Sequence, residues 1–131
     1  MNTKSFKKGE VIIEEGSPSK DAYIIELGSV EVSKRSESGN IQVLTKLDKN
    51  DIFGEMGMID QLPRSATVRA LEDCSISVMT PDTFNLLAKR NPKALMPILK
   101  VLAKRLRHAL KTIEKVDGQN PQNQALVAGN I

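Results

Sequence analysis

Apolar residues fall in brief runs along the first eighty positions, and at helical spacing after them. EVIIEE, AYIIEL, SVEVSK, IQVLTKL, ATVRAL and CSISVM are rich in Val and Ile and bounded by turn formers, which predicts short strands. The intervening turns are Gly16-Ser17-Pro18-Ser19, Gly28-Ser29 and Ser36 to Asn40. Strands this short and this regularly spaced predict an antiparallel sandwich or barrel rather than alternating βα units. After Thr80 the period changes. Thr80-Pro81 reads as an N-cap with proline at the first helical position, opening a helix to about Lys89. Asn91-Pro92 repeats the signal, and Pro97 kinks or restarts the longer helix that follows.

In that longer helix Leu95, Leu99, Leu102, Leu106, Ala109, Ile113 and Val116 recur at steps of four and three. Such a seam fits an amphipathic helix packed on its own β domain, and equally one half of a two-helix coiled coil. The stretch DGQNPQNQALVAGNI, residues 117–131, is polar and rich in breakers, and is expected to be a flexible tail or a linker cut short.

Composition narrows the class. The chain has 131 residues, room for one domain of ordinary size, with 40% apolar and 27% charged residues. No apolar run reaches the ~18 residues that span a bilayer, and MNTKSFKKGE has no signal-peptide core, so a cytoplasmic protein without membrane insertion is expected. Cys74 is the only cysteine, which excludes an intrachain disulfide and a cysteine-pair metal site. The chain also lacks a His/Asp metal cluster, a nucleophile elbow and a Ser/His/Asp set, so no enzyme, cofactor or metal is expected. The net charge is +3, and its excess lies after residue 88, where nine Lys and Arg meet only Glu114 and Asp117 up to residue 118. That excess suits a solvated helix face or an acidic partner better than nucleic acid, because no helix-turn-helix pattern follows it.

The chemistry concentrates in IFGEMGMIDQLPRSATV, residues 52–68. Gly54 and Gly57 flank Glu55, where side chains would obstruct close approach of a ligand to the backbone. Glu55 to Ile59 can form one helical turn with its amides toward an anion, and Pro63 ends it. Arg64 follows with a planar fork of donors that matches phosphate oxygens, and Ser65 adds a hydroxyl. These residues alone leave open a surface Arg64 paired with Asp60 and a Glu55 that caps a turn.

Taken in order, FGEMGMIDQLPRSATV resembles the phosphate-binding cassette of the cyclic nucleotide-binding domain family, which includes regulatory subunits of cAMP-dependent protein kinase and the bacterial catabolite activator protein. FKKGEVIIEEGS and DAYIIELGSVEV resemble the family's opening strands, so the likeness runs over roughly residues 6 to 115. It implies a fold that is mainly β with α, an antiparallel β-roll of jelly-roll type over about residues 6–80, with a short cassette helix and C-terminal helices over about 81–116. It implies a sensor that binds cAMP or cGMP and couples occupancy to movement of the C-terminal helix.

Carried over by residue, Glu55 accepts from the ribose 2′-hydroxyl and Arg64 pairs with the cyclic phosphate. Gly54, Met56, Gly57, Ser65 and Ala66 add contacts within the cassette, and Val32, Leu44 and Thr45 line the wall near the base. Arg107, His108 and Lys111 are the candidates to cap the base from the last helix. Ser65 has precedent in bacterial cAMP sites, which favours cAMP. Asn50-Asp51 stands where the family has Gly-Asp, and Asn tolerates the left-handed region a turn needs there. The resemblance leaves the partner as an effector protein, a fused domain or a second copy joined through the last helix. It also leaves two alternatives, a ligand-less or differently liganded member of the fold acting as a dimerisation or interaction module, and a DNA-associated regulator lacking its helix-turn-helix.

Overall fold

The computed structural model describes residues 2–115. Eight strands form two antiparallel four-stranded sheets that face each other as a β-roll. The strands are β1 (Asn2–Phe6), β2 (Val11–Ile13), β3 (Ala22–Leu27), β4 (Val30–Arg35), β5 (Ile41–Leu47), β6 (Ile52–Phe53), β7 (Thr67–Ala70) and β8 (Cys74–Met79). One sheet has the order β1-β8-β3-β6 and the other β2-β7-β4-β5. The helices are α1 (Glu55–Asp60), α2 (Pro81–Arg90) and α3 (Met96–Lys115), with a 3₁₀ turn at Pro92–Leu95 between the last two.

Strand alternation builds two cores. Ile25, Phe53 and Ile76 point between the sheets and meet Ile13, Val30, Val32 and Val68 from the other sheet. Their neighbours Ala22, Ile52 and Met79 point outward and, with Met58 of α1 and Ile98 of α3, form a second core beneath the helices. The cassette helix and the last helix therefore share one apolar contact layer.

Two expectations are corrected. The roll opens before residue 6, because Asn2–Phe6 pairs with β8 in register from Asn2 opposite Val78 to Phe6 opposite Cys74. The pattern conceals it: NTKSF is polar and mostly exposed, and its strand geometry comes from ladder bonds to a distant segment. The single seam of α3 also divides. Ala109 is buried and Leu102 half-buried, whereas Leu99 and Leu106 are exposed, so the seam's members lie on two faces. Val116 and residues 117–131 lie outside the described residues.

The local signals at the helix starts hold. Thr80 caps α2 by accepting from the Thr83 amide, with Pro81 at the first position. The long helix restarts at Met96 with Pro97 in its first turn, where a missing amide hydrogen costs no intrahelical bond. Asn50 adopts φ 74° and its amide donates to the Ile25 carbonyl at 2.7 Å, so the turn before β6 is kept without glycine. Among the described residues no helix is long and apolar enough to cross a membrane.

Candidate functional site

The cassette is built around one guanidinium. Arg64 is 9% exposed, with Nη1 donating to the Gly54 carbonyl at 3.0 Å and Nη2 to the Asp21 carbonyl at 2.6 Å. Its own amide donates to Ser17 and its carbonyl accepts from Gly16, so the backbone at this residue is anchored to the turn after β2. Both cassette glycines make room for it. A Cβ at Gly54 would lie 2.9 Å from Arg64 Nη1, on a backbone at φ 77° that side chains rarely adopt. A Cβ at Gly57 would lie equally close to the same atom and press into Ser19.

Burial holds the Arg64 pKa below the usual arginine value, and the neighbouring acidic groups of Tyr23, Asp21 and Glu55 act against that shift. The guanidinium stays charged. A charge so enclosed, with two donors on neutral carbonyls, has the chemistry to pair with an anion. Asp60 is not that partner, since its carboxylate accepts from the Leu62 amide instead. The guanidinium lines a cavity of about 140 Å³ together with Ser19, Met56, Gly57, Ser65 and Ala66.

Glu55 opens α1 directly after Gly54 and is 0% exposed. It caps no turn. Oε1 accepts from Arg105 Nη1, while Arg105 Nη2 donates to the Ile52 carbonyl, so α3 adds a polar tie to the cassette beside the apolar layer that Met58 and Ile98 share. Oε2 is buried and has no hydrogen-bond partner. A carboxylate oxygen in that condition is costly unless a donor reaches it.

Leu44 and Thr45 of β5 line a second cavity, about 360 Å³, closed on its other side by Val101, Lys104, Arg105 and His108 of α3. His108 is thus brought to the wall that Leu44 and Thr45 form. Arg107 and Lys111 are not; they line an open depression along the helix with Lys100 and Lys104. Val32 is fully buried in the core between the sheets, with Leu44 packed against it. Glu55 lies between the two cavities in chemical terms: it bonds Arg105, which lines the larger, and its charge acts on Arg64, which lines the smaller.

Two contributors escaped the sequence reading. Arg105 was one more charge in a basic stretch, yet its spacing from Ile98, Leu102 and Ala109 puts it on the inward stripe, where an arginine needs a buried acid. Asp21 contributes its main-chain carbonyl, which no side-chain pattern announces.

Comparison with known proteins agrees with this geometry. The sequence profile of the cyclic nucleotide-binding domain matches residues 3–91, and the chain belongs to that family. It is 39% identical over 87 residues to a cAMP-dependent protein kinase regulatory subunit of Debaryomyces hansenii, covering 66% of this chain and 18% of that one. It is 30% identical over 102 residues to the CRP-like cAMP-activated global transcriptional regulator of Mycobacterium tuberculosis, covering 78% of this chain and 46% of the regulator. The chain therefore spans less than half the length of these curated relatives, both of which are regulatory proteins. Among solved structures, a cyclic nucleotide-binding domain from Methylobacillus flagellatus superposes with TM-score 0.79 at 29% identity, over 89% of this chain and 68% of that one. The cAMP-bound form of the EAL enzyme Bd1971 superposes with TM-score 0.64 at 36% identity, over 86% of this chain and 30% of that one. Its cGMP-bound form gives 0.65 at 34%, over 84% and 29%.

Proposed function

We propose that this domain, over residues 1–116, is a non-catalytic sensor that binds a cyclic nucleotide, cAMP in preference to cGMP, and passes its occupancy to α3. The observation that carries the reading is the pairing of unmet needs in one cassette. Arg64 is an enclosed cation lining a cavity, and Glu55 Oε2 is an enclosed acceptor without a donor. A cyclic phosphate answers the first and a ribose hydroxyl the second. Ser65, Ala66, Met56 and Gly57 line the phosphate end, with Gly54 supplying the carbonyl that steadies Arg64. Leu44, Thr45 and His108 receive the base in the larger cavity. The preference for cAMP rests on Ser65 and on the two curated relatives, both named for cAMP.

Coupling follows from shared parts. A ribose at Glu55 shares the carboxylate with Arg105, and any shift of α1 moves Met58 in the layer it shares with Ile98. Occupancy thus biases the position of α3, the element that meets an effector protein or a fused domain. Isothermal titration with cAMP and cGMP tests the reading. Saturable binding with cAMP the tighter ligand is expected, and Arg64→Ala should weaken it about 100-fold, roughly 3 kcal/mol for a lost charge-assisted pair. Absence of heat for both nucleotides at about millimolar concentration would refute it.

A further inference from the structure

α3 presents three faces. Ile98, Leu102, Arg105 and Ala109 pack on the roll. Leu99, Ala103, Leu106 and Leu110 recur at steps of four and three on a second face, with the leucines 55%, 55% and 53% exposed. Lys100, Lys104, Arg107 and Lys111 form the third, all exposed and with no ion pair to another described side chain. Three leucines half in water along one helix leave an apolar stripe that solvent covers poorly.

The stripe's geometry and charge name its occupant. Alternating steps of four and three are the seam that one helix offers another, and Lys100 and Arg107 sit just after Leu99 and Leu106, at the seam's flank. Residues 81–115 carry nine Lys and Arg against Asp82 and Glu114, a net +7, whereas residues 2–80 carry ten against thirteen, a net −3. A second copy is a poor complement: pairing would bring two helical segments of net +7 side by side, with Lys100, Lys104, Arg107 and Lys111 of each among them. An anionic bilayer would have to accept the acidic roll beside the helix. We propose that the outward face of α3 docks an acidic amphipathic helix of a partner protein, apolar at heptad spacing and flanked by Asp or Glu. Docking there adds a readout surface to the sensor without touching the cassette.

The test uses the full chain and two labelled three-heptad peptides with leucine seams, one flanked by Glu and one by Lys, followed by fluorescence anisotropy. The Glu peptide should bind in the range of about 10 µM and weaken about tenfold as salt rises to roughly 0.5 M. The Lys peptide should not bind. Lys100→Glu with Arg107→Glu should reverse that preference, and Leu106→Ser with Leu110→Ser should remove binding of either peptide while leaving the circular dichroism melt in place. Equal binding of both peptides to the unaltered chain would overturn the proposal. So would a dimer in light scattering that the leucine substitutions dissociate, or tighter binding to phosphatidylserine vesicles or duplex DNA than to the Glu peptide.

Discussion

Two arginines divide the molecule's labour, and the contrast lies in how each is held. Arg64 in the roll is fixed from every side: its main chain is tied to Gly16 and Ser17, and its guanidinium is wedged against two glycines and two carbonyls. Arg105 on α3 is held by one carboxylate and one carbonyl at the end of a long side chain. The first arrangement is rigid, and the second rests on one side chain. In the proposed function, recognition of a small anion falls to the sheet scaffold and movement to the helix.

Substitutions that strike either side alone, or both, sharpen the contrast. The largest effect is expected from Glu55→Ala, which serves both regions: it strands Arg105 in a largely enclosed position and should lower unfolding free energy by about 3 kcal/mol in urea melts. Gly57→Ala touches only the roll, forcing a methyl toward Arg64 and Ser19, and should cost about 2 kcal/mol and weaken nucleotide binding together. Leu102→Ala touches only the layer under α3 and, half-buried, should cost about 1.5 kcal/mol while raising amide exchange in α3 more than in β3 or β8. Equal loss of protection in the strands would break the distinction. Thr80→Ala removes the cap at the junction of roll and helices and should cost about 1 kcal/mol in the same melts. The smallest effect concerns Cys74: burial pushes its thiol pKa up, so the thiolate is scarcer than in the unfolded chain, and thiol-reagent labelling should stay slow in the native state until pH rises well above neutrality.

Much of this arrangement was readable where local chemistry suffices. Gly-Glu-x-Gly followed by Pro-Arg-Ser carries its own physical reason, as do Thr80-Pro81 and the alternation that sorts Ile25 and Ile24 to opposite faces of β3. What escaped depends on distant partners. β1 has no apolar alternation and is a strand because β8 offers it a ladder. The seam of α3 misled because leucine stands on both of its apolar faces, so steps of four and three connect residues that point in different directions. Arg105 escaped for the opposite reason: charge totals treat it like Lys104, while its phase on the helix sends it inward.

The full enclosure of Glu55 has a kinetic corollary. A solute cannot reach an oxygen with no surface until whatever stands before it swings aside, so the approach to equilibrium after rapid mixing should level off as nucleotide concentration rises. The plateau would measure how often the protein opens the way to that oxygen by itself, a clock speed belonging to the chain rather than to the nucleotide.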